Sequence, residues 1–146
     1  MMKICIGCDH AAFEEKEAIK AYLSKNYLVE DVGTYSADRC NYPDFGFAVV
    51  KKVLKEDYLG ILICGSGIGV SMVANRFKGI RAALCRSPKE AELSRQHNNA
   101  NILCLGGRIN SIEELKKTVD SFLTSKFEGG RHSERLALFE DLGERI

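Results

Sequence analysis

The chain has 146 residues, of which 45% are hydrophobic and 28% are charged. These ordinary values indicate a folded protein, predict a single domain over residues 1–146, and exclude a disordered or fibrous chain. The formal net charge of +1 excludes the broad basic surface that non-specific binding to nucleic acid or to an anionic membrane requires. Any anionic ligand must therefore be bound by a local group of residues.

Short apolar runs alternate with amphipathic segments along the whole chain. The runs predict strands at 3–8, 27–32, 59–64, 80–85 and 101–105. The amphipathic segments predict helices at 13–25, 45–54, 71–77, 87–96, 111–125 and 133–142. Asp44 is predicted to cap the second helix. Because continuous apolar strands need cover on both faces, the pattern predicts a doubly wound, Rossmann-like α/β/α sandwich: a five-stranded parallel sheet plus a C-terminal helix.

Ligands of doubly wound sheets bind beyond the carboxyl ends of the strands. In this sequence polar residues follow the strands at that edge. They are Asp9, His10, the loop 64–69, Arg86 and Arg108. We therefore expect the binding site there, although Arg86 has two interpretations, a wall of the site or part of a solvated loop.

The six cysteines would suit a disulfide framework only in an oxidising compartment. The first residues lack the apolar segment of a signal peptide, and no apolar run approaches the roughly 18 residues of a membrane helix. We expect a cytoplasmic protein with reduced thiols and no membrane partner. Cys5 and Cys8 form a C-x-x-C pair, but three residues apart on a strand they face opposite sides, which disfavours a shared metal.

The segment from Cys64 to Gly69 contains three glycines, at 65, 67 and 69, and resembles an anion cradle or an oxyanion hole built from backbone N–H groups. The alternative is a tight turn with no ligand. Valine at 70 excludes both the third glycine of a dinucleotide fingerprint and the arginine of a cysteine phosphatase, and a P-loop lysine is lacking. What remains is the Cys64 thiol, the Ser66 hydroxyl and the loop amides, a set that favours proton transfer over phosphoryl capture.

Two histidines and two arginines are further candidates. Arg131 and Arg135 are four residues apart on the last helix, where they share a face and suit a phosphate. His97 stands beside Asn98 near the end of a helix, and His10 follows a strand end. The alternatives are a solvated helix face and exposed polar histidines.

Eight sequence blocks, in order over nearly the whole chain, resemble the family of type B ribose-5-phosphate isomerases, which also contains the subunits of galactose-6-phosphate isomerase. The blocks are 7–13, 42–44, 64–69, 74–75, 79–82, 94–98, 100–103 and 128–132. The resemblance implies interconversion of ribose 5-phosphate and ribulose 5-phosphate through a cis-enediol, a step of the non-oxidative pentose phosphate pathway. It also implies that no metal or cofactor is needed, and that a homodimer, or a dimer of dimers, shares its sites between subunits.

The resemblance also implies roles for individual residues. Cys64 would be the base that moves the proton, and His97 the acid that opens the sugar ring. Ser66 and the loop Gly65, Gly67, Ile68 and Gly69 would steady the enediolate oxygens. The substrate contacts would be Asp9 and Asn98 for sugar hydroxyls, His10, Arg131 and Arg135 for the phosphate end, and Arg108 and Tyr42 as lining.

Position 70 agrees with a cysteine base, because another branch of the family has no cysteine and places a glutamate where this chain has Val70. Ser66, Asn99 and Asn41 depart from the threonine and the two aspartates that are commoner in the cysteine branch. The alternatives are an isomerase of allose 6-phosphate or galactose 6-phosphate, and an inactive sugar-phosphate binding protein. The cysteine loop and the arginine pair lie on one chain, which favours the pentose enzyme.

Overall fold

The computed structural model describes residues 2–146, which form a five-stranded sheet with helices on both faces. The strands are β1 Lys3–Cys8, β2 Leu28–Asp31, β3 Leu59–Cys64, β4 Ala82–Leu84 and β5 Ile102–Gly106. Their order across the sheet is β2-β1-β3-β5-β4, and every neighbouring pair is parallel. The predicted parallel sheet is therefore confirmed.

The helices are α1 Phe13–Leu23, α2 Tyr42–Lys55, α3 Ile68–Ala74, α4 Pro88–Asn98, α5 Ile112–Thr124 and α6 Arg131–Ala137. Two hydrophobic cores show which face each helix covers. Ile19 of α1, Ala91 of α4 and Leu115 of α5 belong to one core, whereas Val49 of α2 and Val70 of α3 belong to the other. The three-layer, doubly wound architecture is confirmed. Within residues 2–146, no helix combines the length and the apolar character that crossing a membrane requires.

Helices α1, α4 and α5 match the predictions to within two residues at each end, whereas α2, α3 and α6 differ by more. Helix α2 begins at Tyr42, because Pro43 suits a first helical turn, so Asp44 lies inside the helix and does not cap it. Helix α3 begins at Ile68, directly after Gly67. Helix α6 begins at Arg131 and ends at Ala137, earlier than predicted at both ends.

The connections place an open crevice beside the carboxyl end of β3. Strands β1 and β5 flank β3 and lead into α1 and α5 on one face, whereas β3 leads into α3 on the other face. The loop after β3 therefore turns away from the loops on either side of it. Such a switch in direction is where α/β sheets bind ligands.

A buried ion pair anchors α1 to β2. Lys16 is 0% exposed, and its Nζ lies 2.6 Å from Asp31 Oδ2 and 3.0 Å from Glu17 Oε1. We expect Asp31→Ala to lower the free energy of unfolding by about 3–5 kcal/mol, because the ammonium group stays buried without its nearer partner. Denaturant unfolding measures the loss. Glu56→Ala, which breaks an exposed pair with Lys52, is the matched control and should cost far less; equal losses would contradict the assignment.

The same pair predicts a pH dependence. Burial acts to raise the pKa of Asp31, but the hydrogen bonds from Lys16 and Lys20 outweigh it, and the pKa is lowered. A carboxyl with a lowered pKa contributes stability above its unfolded pKa of about 3.9 and loses it as the pH falls. We therefore expect the difference in stability between wild type and Asp31→Ala to persist at neutral pH and to shrink below about pH 4.

Candidate active site

Cys64 ends β3 and lies under the glycine loop. Its side chain is nearly buried, at 4% exposure, and its Sγ accepts a hydrogen bond from the Gly67 N–H at 3.1 Å. The Gly67 backbone has a φ of +78°, in the left-handed region that favours glycine. The Cys64 carbonyl accepts from the Gly107 N–H at 2.9 Å, which joins the loop to the end of β5. The thiol is therefore held by a backbone donor at the predicted edge of the sheet.

The other buried cysteines, in the strands or just after one, are packing residues. Burial raises the pKa of the Cys5 and Cys8 thiols to about 12 and that of Cys85 to about 11. These thiols are therefore protonated at neutral pH. Cys5 and Cys8 belong to opposite cores, as expected for a strand, so the C-x-x-C pair does not converge on a metal.

Two arginines brace the loop. Arg86 donates a hydrogen bond to the Ser66 carbonyl at 2.6 Å, while the Ser66 hydroxyl accepts from the Ile68 N–H at 3.1 Å. The Arg108 N–H donates to the Gly65 carbonyl at 3.0 Å, and the Arg108 side chain lies over Gly65. Arg86 was expected to be either a wall of the site or part of a solvated loop. Its side chain is bonded to the glycine loop, which favours the wall.

Tyr42 and the turn after β1 complete this group. The Tyr42 ring lies so close to Gly69 that a Cβ built there would stand 2.6 Å from it. The Asp9 carboxylate caps the turn by accepting from the Ala11 N–H at 3.0 Å, and Ala11 borders Gly65. His10 Nδ1 accepts from the Cys40 N–H at 3.2 Å, a contact that the sequence did not indicate.

The remaining predicted residues lie at the opposite edge of the sheet. His97 and Asn98 end α4, which runs back to the amino ends of the strands. The Asn101 carbonyl accepts from the Gly60 N–H at 2.9 Å, so the chain just after α4 lies at the beginning of β3. Gly60 and Cys64 are four positions apart on β3, a distance of about 13 Å at roughly 3.3 Å per residue. One chain therefore does not bring Cys64 and His97 together.

His97 belongs to a second polar cluster. Its ring stacks on that of His132, with centroids 4.4 Å apart and planes 15° apart. Glu128 Oε1 lies 3.8 Å from His97 Nε2 and 3.6 Å from His132 Nε2. Burial lowers the pKa of His132, as do the nearby charges of His97 and Arg131. Glu128 and His132 were missed as candidates, although their four-residue spacing was a usable signal.

Arg131 and Arg135 lie on the same short helix as His132 and are exposed. They act on the pKa of His132 through their charge, so both lie near the cluster. The pair is thus placed with His97 at the amino edge. The predicted site residues form two groups, one around Cys64 and one around His97.

Gly67 is the loop position where glycine is required. A Cβ there would stand 2.8 Å from the backbone carbon of Leu105, in addition to the strain of a positive φ. We expect Gly67→Ala to destabilise the protein by about 2–5 kcal/mol, because left-handed strain and overpacking add. Gly129→Ala is the control: it also has a positive φ, but its nearest neighbour is 3.8 Å away, so about 1–2 kcal/mol is expected from strain alone. Thermal unfolding compares the two, and equal losses would refute the close approach.

The sequence and the fold are both similar to those of known proteins. Residues 4–139 match the family model described as Ribose/Galactose Isomerase. The chain is 43% identical over 147 residues to ribose-5-phosphate isomerase B of Escherichia coli K12, covering 99% of each chain. Its fold matches the crystal structure of a ribose 5-phosphate isomerase from Thermotoga maritima with a TM-score of 0.94 at 50% identity, covering 97% of this chain and 99% of that one.

A further solved structure is ribose-5-phosphate isomerase B from Mycoplasma genitalium with bound ribulose-5-phosphate. It matches with a TM-score of 0.92 at 46% identity and covers 95% of this chain and 94% of that one. Identity at this level over nearly full length, together with the family match, exceeds what a shared fold alone would give. The chain therefore belongs to the Ribose/Galactose Isomerase family.

Proposed function

We propose that this protein is an aldose–ketose isomerase that interconverts ribose 5-phosphate and ribulose 5-phosphate, a step of the non-oxidative pentose phosphate pathway. The observation that carries the proposal is the Cys64 thiol held by the Gly67 N–H beneath a loop of amides. Full-length similarity to proteins named ribose-5-phosphate isomerase B supports the substrate. Residues 1–146 would act as one sugar-phosphate isomerase domain in the cytoplasm, without a metal or cofactor.

In the proposed mechanism the Cys64 thiolate removes the proton from C2 of the open-chain aldose. The electron pair forms the C1–C2 double bond of a cis-enediolate as the C1 carbonyl oxygen takes up negative charge. Return of the proton to C1, together with transfer of the hydroxyl proton from O2 to O1, gives the ketose with its C2 carbonyl and C1 hydroxyl. Loop amides, together with the Ser66 hydroxyl, would stabilise the charged oxygens, a role typical of backbone donors that point at developing charge.

The remaining groups prepare and hold the substrate. His97 is the proposed acid that opens the furanose ring, while Asp9 and Asn98 hold sugar hydroxyls. The phosphate end would be bound by His10 and by the two arginines of α6, whose guanidinium groups suit phosphate oxygens. Arg108 and Tyr42 border the glycine loop and would line the sugar site.

We further propose that each site is built from two copies of the chain. Cys64 and His97 stand at opposite edges of one sheet, yet a general acid must come within about 3 Å of the atom it protonates. A two-fold dimer meets this requirement twice, because it sets the carboxyl edge of one copy against the amino edge of the other. A dimer of such dimers would keep the same sites.

A hexose phosphate is the second candidate substrate, since the family description includes galactose. Galactose 6-phosphate and allose 6-phosphate carry one more carbon between the reacting centre and the phosphate. One methylene of pocket is worth only about 1–3 kcal/mol of discrimination.

Turnover measured on ribose 5-phosphate, allose 6-phosphate and galactose 6-phosphate tests the proposal directly. We expect ribose 5-phosphate to have the highest kcat/KM. The pentose assignment would be rejected if the kcat/KM for a hexose phosphate exceeded that for ribose 5-phosphate by more than about tenfold, the lower end of what one methylene of pocket can discriminate. Calorimetric binding of all three sugars without turnover would instead identify a sugar-phosphate binding protein.

A further inference from the structure

The cluster at the amino edge combines two imidazoles and a carboxylate. One ligand atom from each of His97, Glu128 and His132 lies within 4.8 Å of the other two. His132 is 7% exposed, and Glu128 is attached to the end of α4 by a hydrogen bond from its N–H to the Gln96 carbonyl at 3.0 Å. The three groups are thus held together by the end of α4, the beginning of α6 and the segment just before α6.

We propose that His97, Glu128 and His132 form an inhibitory site for a divalent transition-metal ion, with zinc as the best match. Two histidine nitrogens and one carboxylate oxygen are a ligand set that zinc prefers, with the fourth position left to water or an anion. The ion is not a participant in the isomerisation. It would occupy the nitrogen with which His97 is proposed to act on the sugar ring.

The distances are close to those of a bound ion. Bonds of about 2.0–2.2 Å to zinc set tetrahedral ligand atoms about 3.3–3.5 Å apart. Glu128 Oε1 lies 3.8 Å from His97 Nε2 and 3.6 Å from His132 Nε2. Each imidazole–carboxylate pair therefore needs to close by only a few tenths of an ångström.

The two rings must leave their stacked arrangement, because their planes are nearly parallel and an ion bound by both nitrogens has to lie in the plane of each ring. The His97 side chain is 38% exposed and has room to turn, whereas His132, at 9%, is fixed by its surroundings. Glu128 is 52% exposed and can follow. The two exposed side chains, His97 and Glu128, can therefore move to bind an ion that enters from solvent.

The charges around the cluster determine how tightly a dication is expected to bind. Glu128 offers one negative charge to a dication, while Arg131 and Arg135 place two positive charges nearby. Their repulsion predicts reversible binding that a chelator removes, and not a permanent structural site. The same arginines would favour an anion such as phosphate as the fourth ligand.

Titration of the full-length protein with ZnCl2, followed by calorimetry, tests the site without reference to activity. We expect one ion per chain, with Glu128→Gln and His132→Asn each weakening binding by at least about tenfold. Glu134→Gln removes the same charge from a neighbouring exposed position on α6 and should leave binding and turnover unchanged. Glu128→Gln is the safer variant for folding, because Glu128 is exposed.

Cobalt absorption then separates this cluster from the cysteines. Co²⁺ bound to nitrogen and oxygen should give visible bands without the near-ultraviolet charge-transfer band of a thiolate ligand. Resting on the proposed function, we also expect zinc to inhibit isomerisation of ribose 5-phosphate, with reversal by EDTA. Unchanged zinc affinity in Glu128→Gln, or a thiolate band with cobalt, would overturn the site. If the zinc-free protein does not isomerise ribose 5-phosphate but still binds zinc through these residues, the proposed function alone is wrong; if zinc binds there and leaves turnover unchanged, the inhibitory role is wrong.

Discussion

Replacing Cys64 by alanine is expected to reduce isomerase turnover by about 10²- to 10⁴-fold, the usual contribution of a positioned base. The loop would keep its fold, because Sγ receives a single hydrogen bond from the Gly67 N–H and makes no other polar contact among residues 2–146. The loss should appear in kcat with little change in KM, since the thiol acts on the proton and not on the phosphate.

Incorporation of solvent deuterium into the sugar gives an independent measure of the proton transfer by Cys64. In deuterated water, the wild type should incorporate solvent deuterium at the carbon that receives the proton, to the extent that the thiol exchanges with water. Cys64→Ala should not. Cys104→Ala is the matched control, because Cys104 is fully buried in the same core as Cys64, and it should keep turnover while losing some stability. Full activity in Cys64→Ala would eliminate the proposed base.

Two inactive variants are expected to restore each other when their chains are mixed. His97→Asn alone should lose about 10²- to 10⁴-fold in turnover of the ring form, as should Cys64→Ala. In a mixed dimer, one site receives both substitutions and the other receives neither. Random pairing makes roughly half of the dimers mixed, so co-expression should recover about a quarter of wild-type activity.

The control for this recovery uses two variants from the same group. His97→Asn mixed with Arg131→Ala leaves every site with one defect, so no recovery is expected beyond the two variants alone. The pairing state can be checked by separating differently tagged chains. If Cys64→Ala and His97→Asn form mixed dimers without recovering activity, each site is built within a single chain, and the two-copy proposal is wrong.

Much of the fold follows from local patterns that the sequence displays. The apolar run 59–64 became β3 with the predicted boundaries, because a strand with both faces covered needs apolar residues at every position. Helix starts were less predictable. Asp44 had the composition of a cap, yet Pro43 at the first turn moved the helix start to Tyr42.

The candidate site was predicted unevenly. Cys64 and its glycine loop could be assigned because a thiol, a strand end and three glycines are consecutive in the chain. Glu128 and His132 were missed, because their four-residue spacing alone is a weak signal and no local pattern connects them to His97, some thirty residues earlier. Contacts of this kind exist only once α4 and the turn before α6 are packed together.

The parallel α/β architecture, the thiol beside a loop of amides and the family could all be inferred from the order of the residues. The division of the predicted site into two groups at opposite edges of the sheet became visible only in the folded chain. The physical reason is the crossover connection: a helix between parallel strands must run antiparallel to them, so α4 carries His97 away from the edge where β3 ends at Cys64. Sequence order does not record that separation.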